Sequence, residues 1–219
     1  MRLMLNRYFF IALASATPLT AWSSSFNVNI DTTSLAGTKA TLAFDFIDGD
    51  GVANNTAQIS GFLTDGSFDR GLASSFGDVS GLLDTSVTLG DSRGFNEFLQ
   101  PLTLGGILHF QLQISDLFDA NALTPDAFRF YLLDELASSP LFSTTDPTDS
   151  AALFSMGLTG DGKGLSVFSS TNPSAVWNVE ATSHGIPVPG TLPLILTGVG
   201  SLALGRNKRL LACNQQASL

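Results

Sequence analysis

The sequence predicts an all-β chain built around a single β-sandwich, and three observations carry that prediction. Apolar residues alternate with polar ones in several short runs, and clusters of Gly and Asp separate the runs. Gly, Ser, Thr, Asn and Asp are abundant while Lys and Glu are scarce, which suits turns and exposed strands better than helix surfaces. About eight to ten short strands joined by such turns fit either a jelly-roll-like or an Ig-like topology, and the pattern leaves both open.

Taken in order, residues 1–24 have the layout of a secretory signal peptide. Arg2 and Arg7 precede an apolar stretch from Tyr8 to Ala14, small residues follow, and no acid occurs before Asp31. Cleavage after Ala16 or after Ala21 both suit the small-residue rule.

Residues 25–181 form the predicted sandwich. Phe26, Val28 and Ile30 alternate with Asn27, Asn29 and Asp31; Leu42, Phe44 and Phe46 alternate with Ala43 and Asp45; Leu108, Phe110, Leu112 and Ile114 alternate with His109, Gln111 and Gln113. Each run describes a strand with one buried and one wetted face. Further strands are predicted at 57–63, 85–89, 95–104, 127–133, 152–159, 165–169 and 175–181, with one short helix over Ser115 to Leu123. The turns fall at 48–51, 64–66, 104–106 and 160–164. No period of 20–50 residues recurs, which argues against solenoids and propellers.

Residues 182–219 read as a linker, a membrane-sorting helix and a cytoplasmic tail. From Ile186 to Gly205 the chain holds 20 uncharged residues, about the minimum for a membrane span. Arg206, Lys208 and Arg209 close it and stay on the cytoplasmic side under the positive-inside rule. Gly198, Gly200 and Gly205 are costly in a soluble helix but common in membrane helices.

Charge agrees with that orientation. The formal net charge is −9, but five of the ten basic residues lie at the ends and all 19 acids lie between Asp31 and Glu180. The middle therefore sets five basic residues against 19 acids, a net of −14, which repels nucleic acid and anionic headgroups and attracts cations. Cys213 is the only cysteine, so the sandwich is held without an intramolecular disulfide.

Few residues offer chemistry. Gly157 to Lys163 fits the first seven positions of a phosphate-binding loop, but position eight is Gly164 where Ser or Thr must hold Mg²⁺, and a strand follows rather than a helix. A hairpin turn is the ordinary reading. No Gly-x-Ser-x-Gly elbow occurs, and His109 and His184 are the only histidines, too distant in sequence to suggest zinc. Glu97, Glu135 and Glu180 are the only glutamates, and no spacing selects a carboxylate pair for glycoside hydrolysis. The chain is therefore read as non-enzymatic. Asp48 and Asp50, followed by Asn54 and Asn55, are the candidate metal ligands: oxygen donors at alternate positions with Gly between them wrap Ca²⁺, although Val52 and Ile59 break the EF-hand spacing. The same residues also make a plain Asp/Gly turn.

Pro187-Val188-Pro189-Gly190, the apolar Leu192 to Leu204 segment and the cluster Arg206, Lys208 and Arg209 together resemble the PEP-CTERM sorting signal. Val188 stands where that motif usually has Glu, and the ten residues after the cluster, Leu210 to Leu219, extend past the usual end. The stretch Phe26 to Gly37, with Leu42 to Phe46 and Phe95 to Pro101, also resembles a subgroup of such proteins with no assigned activity. The resemblance implies export through the Sec translocon, transient inner-membrane anchoring and recognition by an exosortase protease. It further implies a structural role in the cell envelope or extracellular matrix beside exopolysaccharide. A carbohydrate-binding module is the alternative function.

Overall fold

The computed structural model describes residues 22–171 and 175–184. Among the described residues thirteen strands run in chain order: β1 Trp22–Asp31, β2 Lys39–Ile47, β3 Thr56–Thr64, β4 Ser67–Phe68, β5 Ser74–Phe76, β6 Val79–Leu82, β7 Ser86–Gly90, β8 Phe95–Thr103, β9 Ile107–Asp116, β10 Asp126–Asp134, β11 Phe154–Leu158, β12 Leu165–Val167 and β13 Val176–His184. They form two antiparallel sheets. One has six strands in the order β13-β1-β9-β3-β7-β6. The other has seven, ordered β12-β11-β10-β2-β8-β4, with β5 also pairing along β8.

The alternating residues turn their apolar side to one shared core, as a β-sandwich requires. Val28, Phe110 and Leu112 of the first sheet and Phe44, Phe46 and Phe130 of the second belong to a single buried cluster. Phenylalanine dominates the seam. Phe44 meets Phe110 of the opposite sheet edge-on at 5.3 Å between ring centroids, and Phe130 of the neighbouring strand at 4.9 Å. Tilted and edge-on contacts of this kind add to the burial of the rings themselves.

The structure departs from the sequence reading in three places. First, Ser115 to Leu123 is not helical. Strand β9 continues through Asp116, and the only helical elements among the described residues are 3₁₀ turns at Thr33–Leu35 and Arg70–Leu72. Second, β1 begins before residue 25: Trp22, Ser23 and Ser24 pair with Asp116, Ser115 and Ile114, and Ser24 is buried. Third, the short strands β4, β5 and β6 fill the stretch between β3 and β7.

Candidate functional site

The Asp48 to Gly51 turn links β2 to the approach of β3, at one end of the sandwich. Its two glycines are required there. A Cβ on Gly49 would run into the Pro125 carbonyl, and Gly51 sits at φ 76°, in the region that favours glycine. The close approach of Gly49 to Pro125 brings the turn onto the first residue of β10. Gly49 and Asp50 donate their N–H groups to Asp126 Oδ1 at 2.8 and 3.2 Å, while Gly51 N–H donates to Asp48 Oδ1 at 2.6 Å and Val52 N–H to Asp50 Oδ1 at 2.8 Å.

Asp48 and Asp50 thereby gain a third carboxylate. One oxygen from each of Asp48, Asp50 and the fully buried Asp126 lie within 4.8 Å of one another. Asn55 anchors the group from behind, donating from Nδ2 to Asp126 Oδ2 at 2.8 Å and to the Leu117 carbonyl at 2.7 Å. Asp91, also buried, accepts from the amides of Asn54 and Asn55 at 3.1 and 2.7 Å. Burial raises the pKa of Asp91, the two amides oppose the rise, and the charge of Asp126 reinforces it.

Among the described residues the N–H donors to these four carboxylates are all uncharged, and Asp91 and Asp126 also share a side-chain hydrogen bond. Such a set of hard oxygen donors suits Ca²⁺ better than a soft metal. The same bonds also make it a capped turn whose acids are held by backbone amides. Asp126 and Asp91 escape sequence reasoning because they lie far along the chain from Asp48, and only the sheet pairing delivers them.

The other candidates are placed as follows. Gly157 to Gly164 forms the β11–β12 hairpin, as its spacing suggests. It does cradle an anion through backbone amides, but that anion is the chain's own: Gly160 and Gly162 donate to the two oxygens of buried Asp116 at 2.8 and 2.6 Å. His109 Nδ1 lies 2.8 Å from Asn29 Oδ1 on the wetted face of its sheet. Glu135 pairs with Lys39 at 2.6 Å, with both side chains more than half exposed.

Pro187, Val188, Pro189, Gly190, Arg206, Lys208 and Arg209 lie outside the described residues, as do residues 1–21 of the stretch expected to be a signal peptide and the Leu192 to Leu204 segment. Among the described residues no helix is long and apolar enough to cross a membrane. Compared with known protein families, with curated proteins and with solved structures, the chain matches none.

Proposed function

We propose that the chain is an exported structural protein of the cell envelope or extracellular matrix, sorted by an exosortase through its C-terminal signal and associated with exopolysaccharide. The observation that carries the structural role is the use made of the acids. Asp65, Asp91 and Asp126 accept backbone N–H groups from the adjoining strand ends of their own sheets, and Asp116 from the β11–β12 hairpin of the opposite sheet, every donor lying more than 30 positions away in the chain. Charge-assisted bonds of this kind are about twice as strong as neutral ones. Loops fixed in this way suit a load-bearing module rather than one that closes on a substrate. The chain changes sheet at most of its connections, which supports a jelly-roll-like reading of the topology.

The sorting half of the proposal rests on the Pro-x-Pro element, the apolar segment and the basic cluster. Its test is the mass of the mature C-terminus in hosts with and without an exosortase. A fragment ending near residue 190, found only with the enzyme, is the expected result. A tail intact through Leu219 in both hosts overturns it.

The carbohydrate-binding alternative gains one specific observation, an exposed pair of phenylalanine rings on the outer face of the seven-stranded sheet.

A further inference from the structure

The outer face of the seven-stranded sheet carries a row of side chains in direct register. Phe76 of β5 lies opposite Glu97 of β8, Glu97 opposite Asp45 of β2, and Asp45 opposite Arg129 of β10. Phe95 stands two residues before Glu97, on the same face. By the usual strand spacing, Phe76 to Arg129 spans about 14 Å.

Two features of this row are unexplained by the fold. The first is apolar. Phe76 is 60% exposed and Phe95 39%, and their rings lie side by side at 6.3 Å between centroids, tilted by 36°. The core is already complete without them. The second is polar. Asp45 Oδ1 is buried with no hydrogen-bond donor, beside a second carboxylate, Glu97, whose own pKa burial raises. Buried carboxylate oxygens are ordinarily hydrogen-bonded, so an acceptor without a donor marks a place where a partner is missing.

We propose that this strip, with Phe76 and Phe95 as the platform and Glu97, Asp45 and Arg129 as the polar edge, binds a neutral β-linked glycan chain. The chemistry selects that class. A pyranose with equatorial hydroxyls has an apolar C–H face that stacks on aromatic rings. Its hydroxyl groups donate to the half-buried Glu97 carboxylate beside Asp45, and Arg129 donates to its ring or hydroxyl oxygens. A uronic-acid chain brings negative charge to a strip that already holds two carboxylates against one guanidinium, in a domain of net −14. The inference rests on the reading that the chain meets exopolysaccharide outside the cell.

The test is calorimetric titration of the full chain with a β-1,4-linked glucose hexasaccharide, and separately with a uronic-acid hexasaccharide of equal length. The expected result is saturable binding of the neutral probe alone, weakened at least tenfold by Phe76→Ala and by Glu97→Gln. Leu123→Ala, a fully exposed residue outside the strip, leaves binding unchanged. The proposal is overturned if the neutral probe gives no binding at millimolar concentration, if the two variants bind as the parent does, or if the uronate binds better. Self-association of the chain that is lost in Phe76→Ala, without glycan binding, assigns the strip to a second copy and likewise overturns it. Because the titration is independent of export, its failure alongside normal C-terminal processing removes the strip and leaves the envelope assignment standing.

Discussion

Asp45 and Glu97 face each other across the β2–β8 ladder, on the side of the sheet turned away from the core. Burial pushes the Asp45 carboxyl up to about 7, the charge of Glu97 adds to the rise, and Arg129 opposes it. A carboxyl raised in the folded state binds its proton more tightly there than in the unfolded chain. Between the unfolded value of 3.8 and about 7, the folded state therefore holds more protons, and stability falls as pH rises through that window.

The loss from Asp45 across that window is of the order of a few kcal/mol. Replacing it by Asn removes the titrating group while keeping its shape. Urea midpoints of the parent should fall between pH 4 and pH 7, whereas Asp45→Asn should be flatter over that range and more stable than the parent at pH 8. A parent and variant with parallel pH profiles would contradict the assignment.

The Asp48, Asp50 and Asp126 oxygens make a second prediction. An ion bound to the folded state alone raises the melting temperature by mass action, contributing about 2.7 kcal/mol at a hundredfold excess over its dissociation constant. The expected outcome is a melting temperature that climbs with Ca²⁺ into the millimolar range. Asp48→Ala should abolish the response with little cost in its absence, because Asp48 holds only Gly51 N–H within its own turn. Asp126→Ala is the less clean variant, since it also releases Gly49, Asp50 and Asn55. An unchanged melting curve assigns the cluster to the turn alone.

The core phenylalanines give the third prediction. Phe44 is fully buried and meets Phe98, Phe110, Phe128 and Phe130 at ring-centroid distances of 4.9 to 6.5 Å. Phe44→Ala opens a cavity at the centre of this cluster and should cost about 3–5 kcal/mol. Denaturant titration should show the midpoint falling with the slope unchanged.

Strands with one buried face were legible because burial writes period two into the chain. Phe26 to Ile30, Leu42 to Phe46 and Leu108 to Ile114 all form strands with the alternating apolar residues inward, but β2 lacks the expected wetted face at Ala43, which is buried in a second cluster with Tyr131 and Ala152. The short strands were not legible, and the reason is exposure. Ser74, Ser75 and Phe76 are all exposed, so nothing in β5 imposes alternation. The end of β9 was hidden for the opposite reason. Its inward position after Ile114 is Asp116, a buried acid where the pattern calls for an apolar residue, so the strand appeared to stop early. Asp48 and Asp50 were visible as a local motif, but Asp126 and the facing of Asp45 with Glu97 depend on strand pairing between distant segments.

Asp116 also supplies the most direct test of the acids as structural clamps. Its carboxylate is fully buried, and its two oxygens take the amides of Gly160 and Gly162, so a single side chain at the end of β9 fixes the β11–β12 hairpin of the opposite sheet. Both glycines sit at positive φ, 79° and 70°, a conformation that aims the two N–H groups at one anion. Asp116→Ala removes the acceptor and leaves two amides unpaired, which should cost roughly 1–3 kcal/mol for each donor that water cannot reach. Asp116→Asn keeps the volume and one carbonyl acceptor, so it should lose less. Hydrogen exchange separates a clamp from a merely buried acid. In Asp116→Ala the amides of 160 and 162 and the β12 amides should exchange faster, while those of β2 and β10 keep their protection. Uniform loss of protection across both sheets would mean that Asp116 supports the whole core and does not act as a local clamp.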